Sequence, residues 1–100
     1  MPSSDAIPLL TAPQVAEEQQ RGTLVLDTRS PEQFASLHLR GSIEISLMGN
    51  FASWAAIIIE PTRKLLLIAE NDKRAIEARN RLARVGLKEI VGYALAMENQ

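Results

Sequence analysis

The residues best placed for chemistry are Ala69-Glu70-Asn71-Asp72-Lys73-Arg74, directly after the apolar run Lys64-Leu65-Leu66-Leu67-Ile68. A loop between a strand and a helix turns backbone N–H groups and a helix N-terminus toward one point, which makes an anion site. In open parallel sheets, ligands bind outside the carboxyl ends of the strands, where such loops lie. A cysteine at the first loop position would be held there as a thiolate. That position is Ala69, and the chain has no cysteine at all. Thiol nucleophiles, thiolate metal sites and disulfides are therefore excluded. Inside the loop Glu70 and Asp72 offset Lys73 and Arg74, so the formal charge sums to zero. General acid–base work by Glu70, Asp72 or His38 is the catalytic route left. The sequence places no nucleophile, metal or cofactor beside them.

Three further places carry candidate residues. Asp27 and Arg29 could bind an anion together, but at a strand end before a helix cap they are expected to fix the turn and pair internally. His38 is the sole histidine. It could serve as a general base, while its place in a turn favours a backbone hydrogen bond. One histidine cannot build a histidine-rich metal centre. Phe51, Trp54 and Ile57-Ile58-Ile59 make a strongly apolar segment. Part of it is expected in the core. Phe51, Trp54 and Ile58 are the candidates for a patch that docks a neighbouring domain or a second copy.

These residues must be positioned by alternating strands and helices. Ile7 to Leu10 reads as a short strand. Thr11, with Pro13 and Gln14, starts a helix over 13–21 that stops at Gly22. Thr23-Leu24-Val25-Leu26 is a strand. Ser30-Pro31-Glu32-Gln33 starts a short second helix before Gly41. The polar–apolar alternation of residues 42–47 predicts another strand. Residues 51–60 read as a helix, weakened by three β-branched isoleucines and closed by Pro61. Lys64 to Ile68 is uninterruptedly apolar after Lys64, as befits a central parallel strand. Residues 72–85 form the strongest helix, with Ala75, Ala78, Leu82 and Val85 on one face and Glu77 four residues before Arg81 on another. Glu89 to Tyr93 is a last strand. The pattern predicts an α/β fold with a parallel sheet of about five short strands and helices on both faces.

The bulk numbers agree with one such domain over residues 1–100, with 1–6 as a loose start. Hydrophobic residues make up 46% and the formal net charge is −1. That balance gives no general attraction to nucleic acid or anionic lipid. No apolar run reaches the length of a membrane span. The start shows no signal-peptide pattern, and the absence of cysteine leans toward a cytoplasmic chain.

The motifs resemble those of the rhodanese family. Leu24 to Phe34, with Asp27-Thr28-Arg29 inside it, is similar to the family's first box. Leu37-His38-Leu39-Arg40-Gly41-Ser42-Ile43 is similar to its His-Ile-Pro-Gly-Ala-Ile segment, with Arg40 at the usual proline. Arg79 to Leu87 is similar to the helix and Gly-Phe turn behind the active loop. The resemblance implies a three-layer α/β/α domain whose loop opens with a sulfur-accepting cysteine and closes with arginine. Here Ala69 stands at the cysteine position and Arg74 at the far end, so no sulfurtransferase activity is implied. Asp27, Arg29, His38 and Gly41 carry over as structural motif residues.

Phe51 to Ala55, Leu66 to Glu70 and Gly92-Tyr93 sharpen the resemblance. They are similar to a cysteine-less rhodanese domain found behind metallo-β-lactamase-fold hydrolases of sulfide and persulfide metabolism, often followed by an active rhodanese domain. The implied function is a catalytically inactive structural or interaction module, excised or detached from such a fusion. Its implied partner is the hydrolase, the active rhodanese domain, or a second copy. The alternatives are a sensor that binds a small anion or sulfur metabolite at residues 69–74, and a cysteine-independent enzyme. No cofactor is implied. Residues 94–100, where the family usually carries Gly-Gly and Trp, are expected to be a diverged or truncated tail.

Overall fold

The computed structural model describes residues 7–95. In chain order it contains α1 (Ala12–Gln20), β1 (Leu24–Asp27), α2 (Pro31–Ser36), β2 (Ile43–Glu44), α3 (Phe51–Ile58), β3 (Leu65–Ala69), α4 (Asp72–Arg84) and β4 (Ile90–Leu95). The four strands form one parallel sheet in the order β2-β1-β3-β4.

Local chemistry explains the helix starts. Thr11 accepts from the Gln14 backbone while the Gln14 side chain caps Thr11, and Ser30 with Gln33 repeats the device before α2. Each box satisfies N–H groups that the first helical turn leaves unpaired. Asn71 caps α4 in the same way through its side-chain oxygen. α3 ends at Ile58, short of the expected Glu60. Pro61 disfavours helical backbone at residue 60, and the isoleucine run adds β preference. α4 ends at Arg84, so Val85 is its C-cap and stays 39% exposed instead of closing the buried face.

The sheet separates two cores, as the period-two alternation of a strand requires. Leu65, Leu67 and Ala69 of β3, with Leu26 of β1, pack with Phe51 and Ala55 of α3 and Ala75, Ala78 and Leu82 of α4. Val25, Leu66, Ile68 and Ala94 pack on the other face with Val15 of α1. Leu65, Leu66 and Leu67 have no exposed surface, and each such burial is worth about 1.5–3 kcal/mol.

Two expected strands are shorter than their patterns. Residues 7–10 contribute only the isolated bridge Leu9–Tyr93. Tyr93 N donates to Pro8 O and Leu10 N to Tyr93 O, but Pro8 has no N–H with which to extend the ladder. Among the described residues the sheet therefore has four strands, with this bridge at its β4 edge. Gly92 permits the approach, because a Cβ there would stand 2.8 Å from Pro8 O. At the other edge, β2 covers only two of residues 42–47. Ile45 N bonds Asp27 O, but Leu47 N bonds Thr28 O. A regular parallel ladder would step by two on both strands, so this slip ends the pairing. Residues 94 and 95, expected in the tail, belong to β4 and pair with Ile68 and Ala69. The loose start at 1–6 and the rest of the tail lie outside the described residues.

Candidate functional site

All four strands point the same way, so the ends of β1, β2 and β3 share one edge of the sheet. A cavity of about 80 Å³ lies there. Thr28, Arg29 and Ser30 line it after β1, Ser46 after β2, and Glu70 and Arg74 beyond β3. The tertiary fold thus brings the Asp-Thr-Arg turn to the 69–74 loop. His38 and Gly41 do not line this cavity.

The cavity wall is held by internal bonds. Arg29 is only 7% exposed. Its Nε donates to Asp27 Oδ1 at 2.9 Å, and its Nη2 donates to Asp27 Oδ2 at 2.8 Å and to Leu37 O at 2.6 Å. Such a bidentate pair both fixes and neutralises the guanidinium. Thr28 Oγ1 donates to Ile68 O across β1 and β3. The turn after β1 is therefore stitched to the carboxyl end of β3.

Ala69 ends β3 with no exposed surface and belongs to the core packed under α3 and α4. Its methyl group offers neither a nucleophile nor an acid. The α4 N-terminus that follows is capped from within the chain at Arg74 N. Asn71 Oδ1 accepts from Arg74 N at 2.8 Å, and the Asn71 carbonyl accepts from Ala75 N at 3.1 Å. Asp72 sets a carboxylate in the first turn, where it meets the positive end of the helix dipole. Tyr93 OH donates to Asp72 Oδ1 at 2.5 Å. That bond, with burial, raises the Tyr93 phenol above its ordinary 10.0. Arg74 Nη1 donates to Glu77 Oε1 at 3.3 Å. Glu70, Asn71 and Lys73 are exposed. The Asn71 cap on Arg74 N and the Asp72 carboxylate thus compete with an incoming anion at the start of α4.

His38 is exposed, with Nδ1 2.7 Å from Phe34 O and its ring stacked on Phe34 at a centroid separation of 3.9 Å. Gly41 turns the chain with φ +83°, and Gln19 reaches across to the preceding carbonyl, Arg40 O.

The apolar segment divides. Phe51 is fully buried, with the Arg81 guanidinium 5.4 Å from its ring centroid. Trp54 and Ile58 are each 56% exposed. They rim a groove of about 380 Å³ with Glu44, Ser46, Met48 and Asn50, and Phe51 also lines it. Glu44 and Met48 had no signal as site residues in the sequence. Glu44 follows the alternation of an ordinary edge strand, and only pairing with β1 sets it beside Asp27. Among the described residues Glu44 Oε2 is buried without a hydrogen-bond partner. Burial, then Asp27, then Glu32 raise its carboxyl above the ordinary 4.5.

Among the described residues no cluster of His, Cys, Asp or Glu could hold a metal, and no helix is long and apolar enough to cross a membrane.

The fold is shared with solved structures. A metallo-beta-lactamase from Staphylococcus aureus subsp. aureus COL is similar over 92% of this chain and 25% of its own, with 24% identity and TM-score 0.73. A rhodanese-like domain from Anabaena sp. is similar over 85% of this chain and 66% of its own, with 18% identity and TM-score 0.72. A human single-domain sulfurtransferase is similar over 88% and 89%, with 19% identity and TM-score 0.64. The chain spans a quarter of the length of the metallo-beta-lactamase it matches. No curated protein matches the sequence. The family model of the rhodanese-like domain matches residues 11–98. With the parallel sheet, the Asp27–Arg29 turn and the loop beyond β3, that match assigns the chain to the rhodanese-like domain family.

Proposed function

We propose that this chain is a catalytically inactive rhodanese-like module that serves as a structural or interaction domain in cytoplasmic sulfide or persulfide metabolism. One observation carries the reading: Ala69, at the position where the resemblance implies the sulfur-accepting cysteine, is a buried methyl group at the end of β3, in a chain without cysteine. The Asp72 carboxylate in the first turn of α4 and the Asn71 cap support it further, since transfer chemistry needs a thiolate and donors open to an anion. The partner proposed is a metallo-β-lactamase-fold hydrolase, an active rhodanese domain, or a second copy. Similarity to a quarter of a metallo-beta-lactamase supports a place beside such a hydrolase. The test is thiocyanate formation from thiosulfate and cyanide by the purified chain. Background rates are expected. Turnover that follows the protein through every purification step would sink the proposal.

A further inference from the structure

Among the described residues β2 pairs with β1 alone, so the sheet is open on its far side. The register is Leu26 to Ile43 and Asp27 to Glu44, and Ile45 N donates to Asp27 O. In a parallel ladder the N–H and C=O groups of alternate residues turn to alternate sides. Ile43 and Ile45 therefore bond β1, and the Glu44 backbone N–H and C=O point away from it. Leu47 N donates to Thr28 O, while no described residue accepts from Ser46 N. The Glu44 N–H and C=O and the Ser46 N–H thus make an unpaired edge. Residues 42–47 contain no proline and no lysine to blunt it.

The groove of about 380 Å³ beside α3 runs along this edge, since Glu44, Ile45 and Ser46 line it together with Met48, Phe51, Trp54 and Ile58. Strand alternation puts the Glu44 side chain on the face of Asp27, away from α3, and Ile45 on the α3 side with Phe51. What Glu44 gives the groove is its backbone. The opposite wall is apolar: Met48, Trp54 and Ile58 are 70%, 56% and 56% exposed.

An edge of N–H and C=O groups beside an apolar wall defines its occupant. An extended segment meets both, because every second residue turns its backbone groups to β2 while alternate side chains face the wall. A helix has already used its backbone groups internally. An apolar small molecule covers the wall and leaves the edge unpaired. A second copy fits poorly, since antiparallel pairing of two β2 edges brings two Glu44 side chains onto the same stretch of one face, and like charges there repel.

We propose that the β2 edge takes up an extended segment of a protein partner as an added strand, with apolar side chains against Met48, Trp54 and Ile58 and polar, non-acidic ones on the face of Glu44. The proposal rests on the interaction-module reading and names the surface and the chemistry of its partner.

The probe is a panel of capped heptapeptides that alternate Val, Ile or Leu with Thr and carry a terminal lysine. Each is made in two N-methylated forms, one methylated at the odd residues and one at the even. The full chain is titrated while Trp54 emission and the exchange of the Glu44 and Ser46 amides are followed. The unmethylated peptides are expected to shift Trp54 and to slow exchange at both amides. One methylated form is expected to bind about tenfold or more weakly, because its backbone donors toward β2 are gone, and the other to bind as the parent does. Trp54→Ala is expected to weaken binding while the chain stays folded, since the indole is exposed. Equal affinity of the two methylated forms would overturn the proposal, as would shifts at Trp54 without protection of Glu44 and Ser46. Protection that rises with the concentration of the chain alone, together with a dimer in sedimentation, would overturn it in favour of a second copy. A sulfurtransferase-positive chain would overturn the inactive-module reading and leave the peptide result standing. A panel silent at millimolar peptide would overturn the docking edge and leave the catalytic reading standing.

Discussion

Asp27 and Glu44 are register partners across β1 and β2, so their carboxylates project from the same face of the sheet. Arg29 is bidentate on Asp27, and Glu44 Oε2 is left buried without a donor. Burial first, and then the neighbouring Asp27 and Glu32, favour the protonated form of Glu44. With the Glu44 pKa raised, the folded chain holds this proton more tightly than the unfolded chain does. The stability it contributes is full below the ordinary 4.5 and is lost as pH rises through the raised value. Glu44→Gln is therefore expected to stabilise the chain at neutral pH, on the order of 1 kcal/mol. Urea midpoints across pH check this: the gain should vanish in acid.

The Asp27–Arg29 pair predicts the opposite outcome. Both side chains are buried, at 1% and 7% exposure. Asp27→Asn leaves the guanidinium without its counter-charge in a dry site and is expected to cost about 3–5 kcal/mol. Arg29→Lys should also destabilise, because a lysine cannot reproduce the fork on Asp27 together with the bond to Leu37 O. Chemical denaturation of the two variants measures both effects.

Tyr93 is the chain's one tyrosine, so its titration can be read without overlap. The Asp72 hydrogen bond is the first cause of its raised pKa. The bond's stabilisation is present below the ordinary 10.0 and is lost as pH rises through the raised value. Asp72→Asn is expected to bring the phenol back toward 10.0 in an ultraviolet titration. Tyr93→Phe should cost about 1–2 kcal/mol at neutral pH.

Restoring the thiol alone should not restore the chemistry. In Ala69→Cys the sulfur would enter a position with no exposed surface, beside a helix N-terminus that Asn71 and Asp72 already serve. Burial and the nearby carboxylate both favour the neutral thiol. Alkylation of the folded variant is expected to be much slower than that of the unfolded chain, with thiocyanate formation at background. Rapid alkylation together with persulfide formation would show that the loop still activates sulfur.

The sequence by itself determined what depends on neighbours a few residues apart. The caps at Thr11 and Ser30 were legible because a side chain three residues on completes each box. The central place of β3 was legible because a run without polar residues needs cover on both faces. The absence of any thiol was legible because no other residue type can supply a thiolate. What only the tertiary structure decided depends on pairs far apart in the chain. Phe51 and Trp54 are three residues apart and equally apolar, and docking of α3 on the sheet buries one and exposes the other. The Tyr93–Asp72 bond joins β4 to the start of α4 across 21 residues. Periodicity alone does not show that Pro8 halts the first strand at one bridge with β4, or that a slip after Ile45 cuts β2 short. The same register of β1 against β2 sets Glu44 beside Asp27. Hydrogen-bond register is settled only when distant strands meet, and with it which carboxylate finds a donor and which is left without one.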